Sequence, residues 1–261
     1  MRLDVYLAEK KLTKSRTAAQ CLINIGGVYV NGKMAEKSSM DVTETDRVTI
    51  EELKLPKYVG RGGLKLEGAV ERFGIDLSGA VCVDVGASTG GFTDCMLQYG
   101  AARVYAVDVG RDQLNERLRS DPRVISREQT DIREFTLDEC PGGADFIGAD
   151  VSFISLKLVL PEMYRLLKSG GSAVALIKPQ FEAGRGALNK RGIVTDRRTR
   201  ELVVAELTRF AEQCGFKVEG TAESPITGGD GNTEYLMYLK KEEKCLRIRG
   251  CKKQSHKPPA H

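Results

Sequence analysis

The sequence predicts an α/β fold, in which a mostly parallel sheet carries helices on both faces and is closed by an antiparallel hairpin. A small α+β module precedes this sheet. The first observation is that short apolar strand patterns alternate with helical patterns from residue 80 onward, as in parallel sheets. The second is that the last two strand patterns follow each other, separated by a turn containing Pro225 and Gly228-Gly229. The third is a separate pattern of two short helices and a hairpin within residues 1–52.

The length and composition suit one large globular domain, or a large domain plus a small module. The chain has 261 residues, of which 41% are hydrophobic and 29% charged, with a formal net charge of +4. This composition excludes disorder, collagen and a coiled coil as descriptions of the whole chain. No run approaches the roughly 20 apolar residues of a membrane-spanning helix, and Asp4 argues against a secretory signal. We therefore expect a cytoplasmic protein that does not insert into membranes.

The cysteines and histidines exclude several kinds of site. The seven cysteines are odd in number, scattered, and form no Cys-x-x-Cys pair, which argues against a disulfide framework and a structural zinc site. The two histidines, His256 and His261, both lie in the C-terminal tail. Acid-base chemistry by histidine is therefore excluded from the folded part, and a catalytic base must be Lys, Asp, Glu, Tyr or Cys.

Residues 1–52 form the predicted small module. Its first helix contains Leu3, Tyr6 and Leu7 at helical spacing, and its second begins with Ser15 as the N-cap. A strand over 28–30 is followed by Asn31-Gly32, a strong hairpin signal, and residues 47–50 supply a further strand. This stretch resembles the S4 RNA-binding domain in the order and spacing of Arg2-Leu3-Asp4, Ser15-Arg16 and Gly27-Val28-Tyr29-Val30-Asn31-Gly32. The resemblance implies that Arg2, Lys14 and Arg16 dock on the phosphates of structured RNA.

The rest of the chain divides into a linker, a large domain and a tail. Residues 53–63 are the predicted linker, since they contain Pro56 and Gly60 and run into a helix that begins near Gly62-Gly63. The large domain is expected over residues 64–243. Its predicted strands are 81–85, 104–107, 146–149, 173–177, 217–223 and 235–239, and its main helices are 92–99, 156–167, ended by Gly170-Gly171, and 195–214. The tail, 244–261, holds six basic residues and no acidic one and is predicted to be disordered.

The glycine-rich segment after the first large-domain strand predicts a cofactor site. In such sheets a turn at the carboxyl end of a strand lets the backbone approach the ligand closely. Asp84 lies in the strand before this turn, and Asp108 ends the next strand, where a carboxylate can accept hydrogen bonds from the ribose of NAD or of S-adenosylmethionine. The turn residues expected to line the cofactor are Gly86, Ser88, Gly90 and Gly91.

The glycine spacing discriminates between these two cofactors. It departs from the G-x-G-x-x-G pattern of dinucleotide sites and resembles motif I of the class I methyltransferases, which implies S-adenosylmethionine and a Rossmann-like sheet of seven strands. In that family an acidic residue after the third strand contacts the adenine amino group. Asp131 holds this place, and a surface turn is the alternative role for it. In the more specific family resemblance given below, the residue expected at this position is Asn.

The methyl acceptor is predicted from four charged residues. Asp150-Val151-Ser152-Phe153 follows the fourth strand but matches neither the motif of amino-group methyltransferases nor the Pro-Cys motif of pyrimidine-carbon methyltransferases. Lys65, Asp150, Lys178 and Glu234 occur in the order typical of the FtsJ type of RNA 2′-O-methyltransferases. Lys178 is the candidate that activates the ribose hydroxyl, with Asp150 and Glu234 orienting it and Lys65 opposing its charge. No metal-ligand cluster is present in the sequence, and this chemistry requires none.

Together these motifs resemble the TlyA family over residues 1–240. The resemblance implies 2′-O-methylation of cytidine in ribosomal RNA, with ribosomal subunits as partners. Two other classes of protein are alternatives. A non-catalytic RNA-binding or ribosome-assembly factor would show decay of the four charged residues or of the glycine turn. A haemolysin would need an apolar segment that inserts into membranes. The net charge is +3 on residues 1–72, −5 on residues 73–243 and +6 on the tail. We therefore expect the attraction to RNA to come from the small module, Arg61 and the tail.

Overall fold

The computed structural model describes residues 1–13, 15–24, 26–51 and 57–242. Contacts divide the chain into two compact units, Met1–Lys57 and Tyr58–His261. The basic tail and Lys14 lie outside the described residues, as do residues 53–56 of the predicted linker.

The first unit is the small α+β module that the sequence predicts. Two helices, α1 (Leu3–Glu9) and α2 (Arg16–Asn24), accompany a three-stranded antiparallel sheet of order β2-β1-β3, with strands β1 (Val28–Val30), β2 (Lys33–Met34) and β3 (Val48–Ile50). The β1–β2 turn has φ of 52° at Asn31 and 79° at Gly32, the positive values that a tight hairpin turn requires. The Ser15 hydroxyl accepts a hydrogen bond from the Ala18 amide at 3.1 Å, as expected at the start of α2.

The second unit is built on a seven-stranded sheet of order β6-β5-β4-β7-β8-β10-β9. Strands β4 to β8 run parallel, whereas β10 runs antiparallel to both β8 and β9. The predicted α/β class with its closing antiparallel hairpin is therefore confirmed. The strands are β4 (Val81–Val85), β5 (Arg103–Asp108), β6 (Val124–Glu128), β7 (Ala144–Ala149), β8 (Leu167–Ile177), β9 (Lys217–Glu223) and β10 (Tyr235–Lys240).

The described part of this unit contains six α-helices and a short 3-10 helix (Arg185–Ala187), and apolar clusters form on the sheet. One cluster packs α3 and α4 on the sheet, and the other packs α6 and α8 on it. The helices are α3 (Gly62–Phe73), α4 (Gly91–Gln98), α5 (Glu116–Arg119), α6 (Leu156–Leu166), α7 (Pro179–Glu182) and α8 (Arg197–Gln213). The parallel strands thus point their carboxyl ends to one edge of a sheet that helices cover on both faces.

The predicted end of α6 at Gly170-Gly171 is wrong. Helix α6 ends at Leu166, and both glycines lie within β8. The β7–β8 register shifts between Ala144 and Phe146, and a Cβ on Gly171 would lie 3.0 Å from the Lys168 carbonyl oxygen. The glycines therefore accommodate an irregularity in the strand rather than a helix cap.

The large domain also begins earlier than the predicted residue 64. Tyr58 is buried in the α3–α4 cluster, and the Val59 amide donates to the Asp94 carboxylate at 2.8 Å. A Cβ on Gly63 would lie 2.2 Å from the Tyr58 ring. Residues 58–63, which the sequence assigns to a linker, therefore pack as part of the second unit.

Candidate active site

The carboxyl ends of β4, β5, β7 and β8 form a polar cleft. A cavity of about 230 Å³ is lined by Asp84, Asp150 and Lys178 among others. An adjoining cavity of about 370 Å³ is lined by Asp108 and Asp131. Both cavities share Gly86, Ser88, Asp150 and Ser152, so they form one continuous groove along the strand ends. This is the edge at which open α/β sheets bind their ligands.

Asp84 is a buried carboxylate with one oxygen directed to no partner. Its Oδ2 accepts hydrogen bonds from the Thr93 amide at 2.8 Å and the Thr93 hydroxyl at 2.6 Å. Its Oδ1 has no hydrogen-bond partner among the described residues, although the side chain is fully buried. Burial raises the pKa of Asp84 to about 7, with the charges of Asp150 and Asp108 raising it further and the Thr93 hydrogen bonds opposing the rise. The free oxygen suits a cationic donor in the cleft.

The turn after β4 has a backbone that only glycine adopts easily at two positions, and other parts of the chain pack closely against it. Gly86 has φ of +80° and Gly90 +94°, and a Cβ on Gly86 would lie 2.8 Å from the Asp150 carbonyl oxygen. Ser88 adopts φ of +47° without being glycine. A Cβ on Gly91 would lie 2.9 Å from the Gly63 amide nitrogen, so this turn packs directly against the start of α3. The glycines therefore keep both the cleft and the α3 contact open.

Two carboxylates lie along the second cavity. Asp108 accepts hydrogen bonds from the Ser88 and Gly110 amides, each at 2.7 Å, which orients it toward the glycine turn. Asp131 is paired with Arg133 at 2.6 Å, and this partner lowers the pKa of Asp131 to about 2. Asp131 therefore remains ionised near neutral pH, so its oxygens can accept from an amino group as the side-chain oxygen of the expected Asn would.

Lys65, Asp150, Lys178 and Glu234 converge into one chain of ion pairs. Lys178 Nζ lies 2.6 Å from Asp150 Oδ1, and Lys65 Nζ lies 3.3 Å from Asp150 Oδ2. Lys65 Nζ also lies 2.7 Å from Glu234 Oε2. Both lysines are 8% exposed and Glu234 is 3% exposed. Two cations and two anions thus neutralise one another in a desolvated site.

Glu234, which is expected to orient Lys178, does so in this structure only through Lys65 and Asp150. Glu234 pairs with Lys65, because α3 brings Lys65 between the ends of β7 and β10, and Lys178 finds Ser152 instead. The Lys178 Nζ to Ser152 Oγ distance is 2.8 Å. Lys178 is therefore held by Asp150 and Ser152. The other oxygen of Asp150 contacts Lys65, which in turn pairs with Glu234. Ser152 was not among the candidate residues predicted from the sequence.

Phe153 is a second residue that the sequence analysis did not select. Its side chain is 91% exposed and its φ is +63°, a backbone conformation that a bulky residue rarely adopts. The ring lies 5.0 Å from that of Phe181, three residues after Lys178. A large exposed aromatic ring in a strained conformation beside the cleft is a candidate surface for stacking with a ligand.

In the first unit, the structure brings Arg2 and Arg16 together around a buried carboxylate. Asp4 is fully buried and pairs with Arg2 at 3.0 Å and Arg16 at 3.2 Å, while Gln20 donates to it at 2.8 Å. The Arg2 and Arg16 side chains remain 46% and 57% exposed. In the second unit, Arg61 donates to the Thr227 carbonyl oxygen at 2.8 Å. Each of these arginines therefore supports the fold in addition to any contact with RNA.

The described residues contain neither a metal-binding cluster nor a membrane-spanning helix. No group of three or more potential ligands is arranged to hold a metal ion in this part of the chain. No helix among the described segments is long and apolar enough to cross a membrane.

Comparisons with known proteins identify two matching families. Residues 58–241 match the FtsJ-like methyltransferase family, and residues 1–48 match the S4 domain. The 16S/23S rRNA (cytidine-2′-O)-methyltransferase TlyA of Mycobacterium tuberculosis is 39% identical over 98% of this chain and 96% of its own. Hemolysin A of Brachyspira hyodysenteriae is 43% identical over 92% of this chain and 99% of its own. A solved structure from Streptococcus thermophilus, provisionally named a hemolysin, matches with a TM-score of 0.72 and 44% identity, covering 93% of this chain and 88% of that one.

Proposed function

The chain belongs to the FtsJ-like methyltransferase family and carries an S4 domain, and we propose that it methylates a ribose 2′-hydroxyl of ribosomal RNA with S-adenosylmethionine. The acceptor nucleoside is cytidine, as in the Mycobacterium tuberculosis relative, whose name states that reaction. We place this activity in the cytoplasm, with ribosomal subunits as the partners.

The observation that carries the proposal is the contact of four charged side chains beside the glycine turn. Lys65, Asp150, Lys178 and Glu234 are joined by ion pairs of 2.6 to 3.3 Å, and Asp150 and Lys178 line the same cavity as Asp84 and Gly86. A protein that only bound RNA would not need two lysines desolvated in this cleft, because burying a charge costs free energy unless a function or a partner offsets it.

The cleft residues fit S-adenosylmethionine. When bound, it supplies a methyl group on a positively charged sulfur, which an oxygen nucleophile can accept by direct displacement. Asp84 Oδ1, buried and without a partner among the described residues, would accept from the cofactor's amino group. Asp108 would bind the ribose hydroxyls, and Asp131 would accept from the adenine amino group. Gly86, Ser88, Gly90 and Gly91 would form the wall against which the cofactor lies.

Lys178 is the residue we assign to the acceptor hydroxyl. Its ammonium group can donate three hydrogen bonds. One goes to Ser152 at 2.8 Å, and Asp150 holds the ammonium group by an ion pair at 2.6 Å. A remaining N–H can orient the ribose 2′-oxygen for attack, which is a positioning effect. As the oxygen accepts the methyl group it loses its proton. The Lys178 ammonium group can take up this proton only as it passes one of its own to Asp150, so the Asp150 carboxylate is the acceptor. Lys65 and Glu234 keep Asp150 in place by neutralising it from the other side.

The other two function classes have less support. A non-catalytic assembly factor would tolerate loss of the ion-pair chain, yet all four members are present and in contact. The hemolysin name of a relative concerns that relative.

The test is methyl transfer from radiolabelled S-adenosylmethionine to isolated ribosomal subunits and to naked ribosomal RNA, both from cells lacking this methyltransferase. We expect labelling at a ribose, with kcat for Lys178→Ala lower by roughly 10² to 10⁴ because one proton-transfer and positioning group is lost. Binding of S-adenosylhomocysteine serves as the control that the variant is folded. Absence of labelling on either subunit and on naked RNA contradicts the proposed function. Labelling by Lys178→Ala at the wild-type rate contradicts the role of Lys178.

A further inference from the structure

A strongly basic segment follows the catalytic strand β8 in an otherwise acidic domain. Residues 184–200, called the basic segment below, contain six basic residues and one acidic residue. The rest of residues 73–243 contain 15 basic and 25 acidic residues. The basic residues of the segment are Arg185, Lys190, Arg191, Arg197, Arg198 and Arg200. Such a concentration of one charge on an acidic domain indicates a surface for an anionic partner.

Four of these side chains, Arg185, Lys190, Arg191 and Arg198, are exposed and make no side-chain hydrogen bond or ion pair within the described ranges. Arg197, in contrast, is paired with Glu201 at 2.7 Å. Arg198 lies beside the Asp196 carboxylate, whose charge it offsets, which leaves Arg185, Lys190 and Arg191 available to a partner. A charged side chain that makes no internal contact contributes little to the fold. These three are therefore candidates for contacts with a ligand outside the protein.

The middle of the basic segment is attached to the residues just before β10, which include Glu234. Asn232, 1% exposed, accepts a hydrogen bond from the Val194 amide at 3.1 Å and donates to the Gly192 carbonyl oxygen at 3.1 Å. Asn189 tightens the same turn by accepting from the amides of Arg191 and Ile193 at 2.8 and 3.0 Å. Since Asn232 lies two residues before Glu234, the turn that exposes Lys190 and Arg191 is held at the edge of the catalytic site.

Both ends of the basic segment are attached to the same region. Before it, Glu182 of α7 accepts from the Ser155 hydroxyl at 2.7 Å and the Leu156 amide at 2.8 Å, at the start of α6 and shortly after Asp150. At its end, Arg200 donates to the Thr195 carbonyl oxygen at 2.8 Å and lies 3.3 Å from the Tyr235 hydroxyl, next to Glu234. The segment is thus a positioned surface and not a freely moving loop.

We propose that the basic segment binds backbone phosphates of the RNA strand that flanks the target nucleotide, with Arg185, Lys190 and Arg191 as the contacting residues. This proposal rests on the proposed function, because it assumes that the anionic partner next to the catalytic site is RNA. Phosphate contacts fix the position of an RNA strand without reading its sequence. Asn232 is a positioning residue, which sets where these three charges stand relative to Lys178.

The test compares two triple variants of the full-length protein with equal loss of charge. R185Q/K190Q/R191Q neutralises the proposed surface. R103Q/K217Q/K240Q is the matched control, since these residues are exposed at the opposite edge of the sheet, where β5 and β9 begin and β10 ends. Binding to unmethylated ribosomal subunits is titrated at 50 and 200 mM KCl with fixed magnesium. Binding of S-adenosylhomocysteine is measured in parallel for each protein.

Raising KCl from 50 to 200 mM weakens binding of each protein by some factor. If all three residues contact phosphates, this factor should be roughly 20 to 40 times larger for the wild type than for R185Q/K190Q/R191Q. The control variant should keep the wild-type salt dependence, and all three proteins should bind S-adenosylhomocysteine equally. Equal salt dependence of both triple variants overturns the proposal. Naked ribosomal RNA is titrated in the same way, and a loss of affinity for subunits with unchanged affinity for naked RNA also overturns it, because the segment would then bind an acidic ribosomal protein. Because binding is measured without methyl transfer, this outcome is independent of whether the wild type methylates the RNA.

Discussion

The raised pKa of Asp84 predicts that cofactor binding depends on pH in a defined direction. If the cofactor's amino group stays protonated below about pH 7 and binds the ionised carboxylate, the apparent affinity follows the ionised fraction of Asp84. With a pKa of about 7, that fraction rises from roughly 3% at pH 5.5 to about half at pH 7, so Kd should fall about 15-fold. Binding at pH 7 should release about half a proton for each ligand bound.

The same shift has an opposite effect on the protein without cofactor. The pKa of Asp84 is raised above its ordinary value of 3.8, so ionisation is less favourable in the folded state than in the unfolded state. The contribution of Asp84 to stability is therefore complete below about pH 4 and is lost as the pH rises through about 7. Cofactor binding should offset this loss, so thermal stabilisation by S-adenosylhomocysteine should be greater at pH 7 than at pH 5.5.

Isothermal titration with S-adenosylhomocysteine in buffers of different ionisation enthalpy measures both the affinity and the protons released. The two histidines, His256 and His261, lie in the tail, so no histidine within the described residues titrates in this range. Thr93→Val removes a hydroxyl that donates to Asp84 at 2.6 Å and should move the pH midpoint upward. Asp84→Asn should bind weakly at every pH. A wild-type Kd that changes less than twofold between pH 5.5 and 7 would refute this reasoning.

Three further predictions concern RNA and the fold. Arg16→Ala should weaken RNA binding, lower the slope of log affinity against log salt by about 1 and leave S-adenosylhomocysteine binding unchanged. Loss of the contact with Asp4 should also lower the unfolding temperature of the first unit. A parallel loss of cofactor binding would show that the two units are not independent. Phe153→Ala should leave stability unchanged, because the ring is 91% exposed, and should lower kcat/KM for RNA by roughly 5- to 150-fold if the ring stacks on a base; unchanged kinetics would remove that role. Gly63→Ala should destabilise the second unit by about 1 to 3 kcal/mol in chemical denaturation, since its Cβ would meet the Tyr58 ring at 2.2 Å; wild-type stability would show that Tyr58 can move.

The sequence predicts the fold well where the local pattern is strong. The strand β4 lies over 81–85 as expected, because a continuous apolar run that ends in a glycine turn is typical of a buried parallel strand. Strand β6 was not assigned, and its sequence, Val-Ile-Ser-Arg-Glu, lacks such a run because it lies at the edge of the sheet. The short helices α5 and α7 also went unassigned, since four residues carry no periodicity.

The pairing within the catalytic cluster depended on information that no local pattern holds. That Asp108 and Asp150 end strands can be seen in the sequence, and parallel strands bring such ends to one edge. Which lysine Glu234 contacts depends instead on the antiparallel pairing of β10 with β8, where Tyr235 faces Ile177, and on the packing of α3. Ser152 and Phe153 follow Asp150 directly, but their roles depend on side-chain direction and on a positive φ, which are tertiary properties.

The charges around Asp150 balance only when all four side chains are present. Asp150 is shared by two lysines, since Lys178 contacts one carboxylate oxygen and Lys65 the other, and one carboxylate can neutralise only one of them. Lys65 would then be an unpaired buried cation, and Glu234 supplies its counter-charge. Lys65 and Glu234 therefore act together on the position of the Asp150 carboxylate and on the balance of charge around it. On this argument Glu234→Gln should leave Lys65 without its counter-charge and lower the thermal stability of the second unit, while Lys178→Ala should lower the rate of methyl transfer.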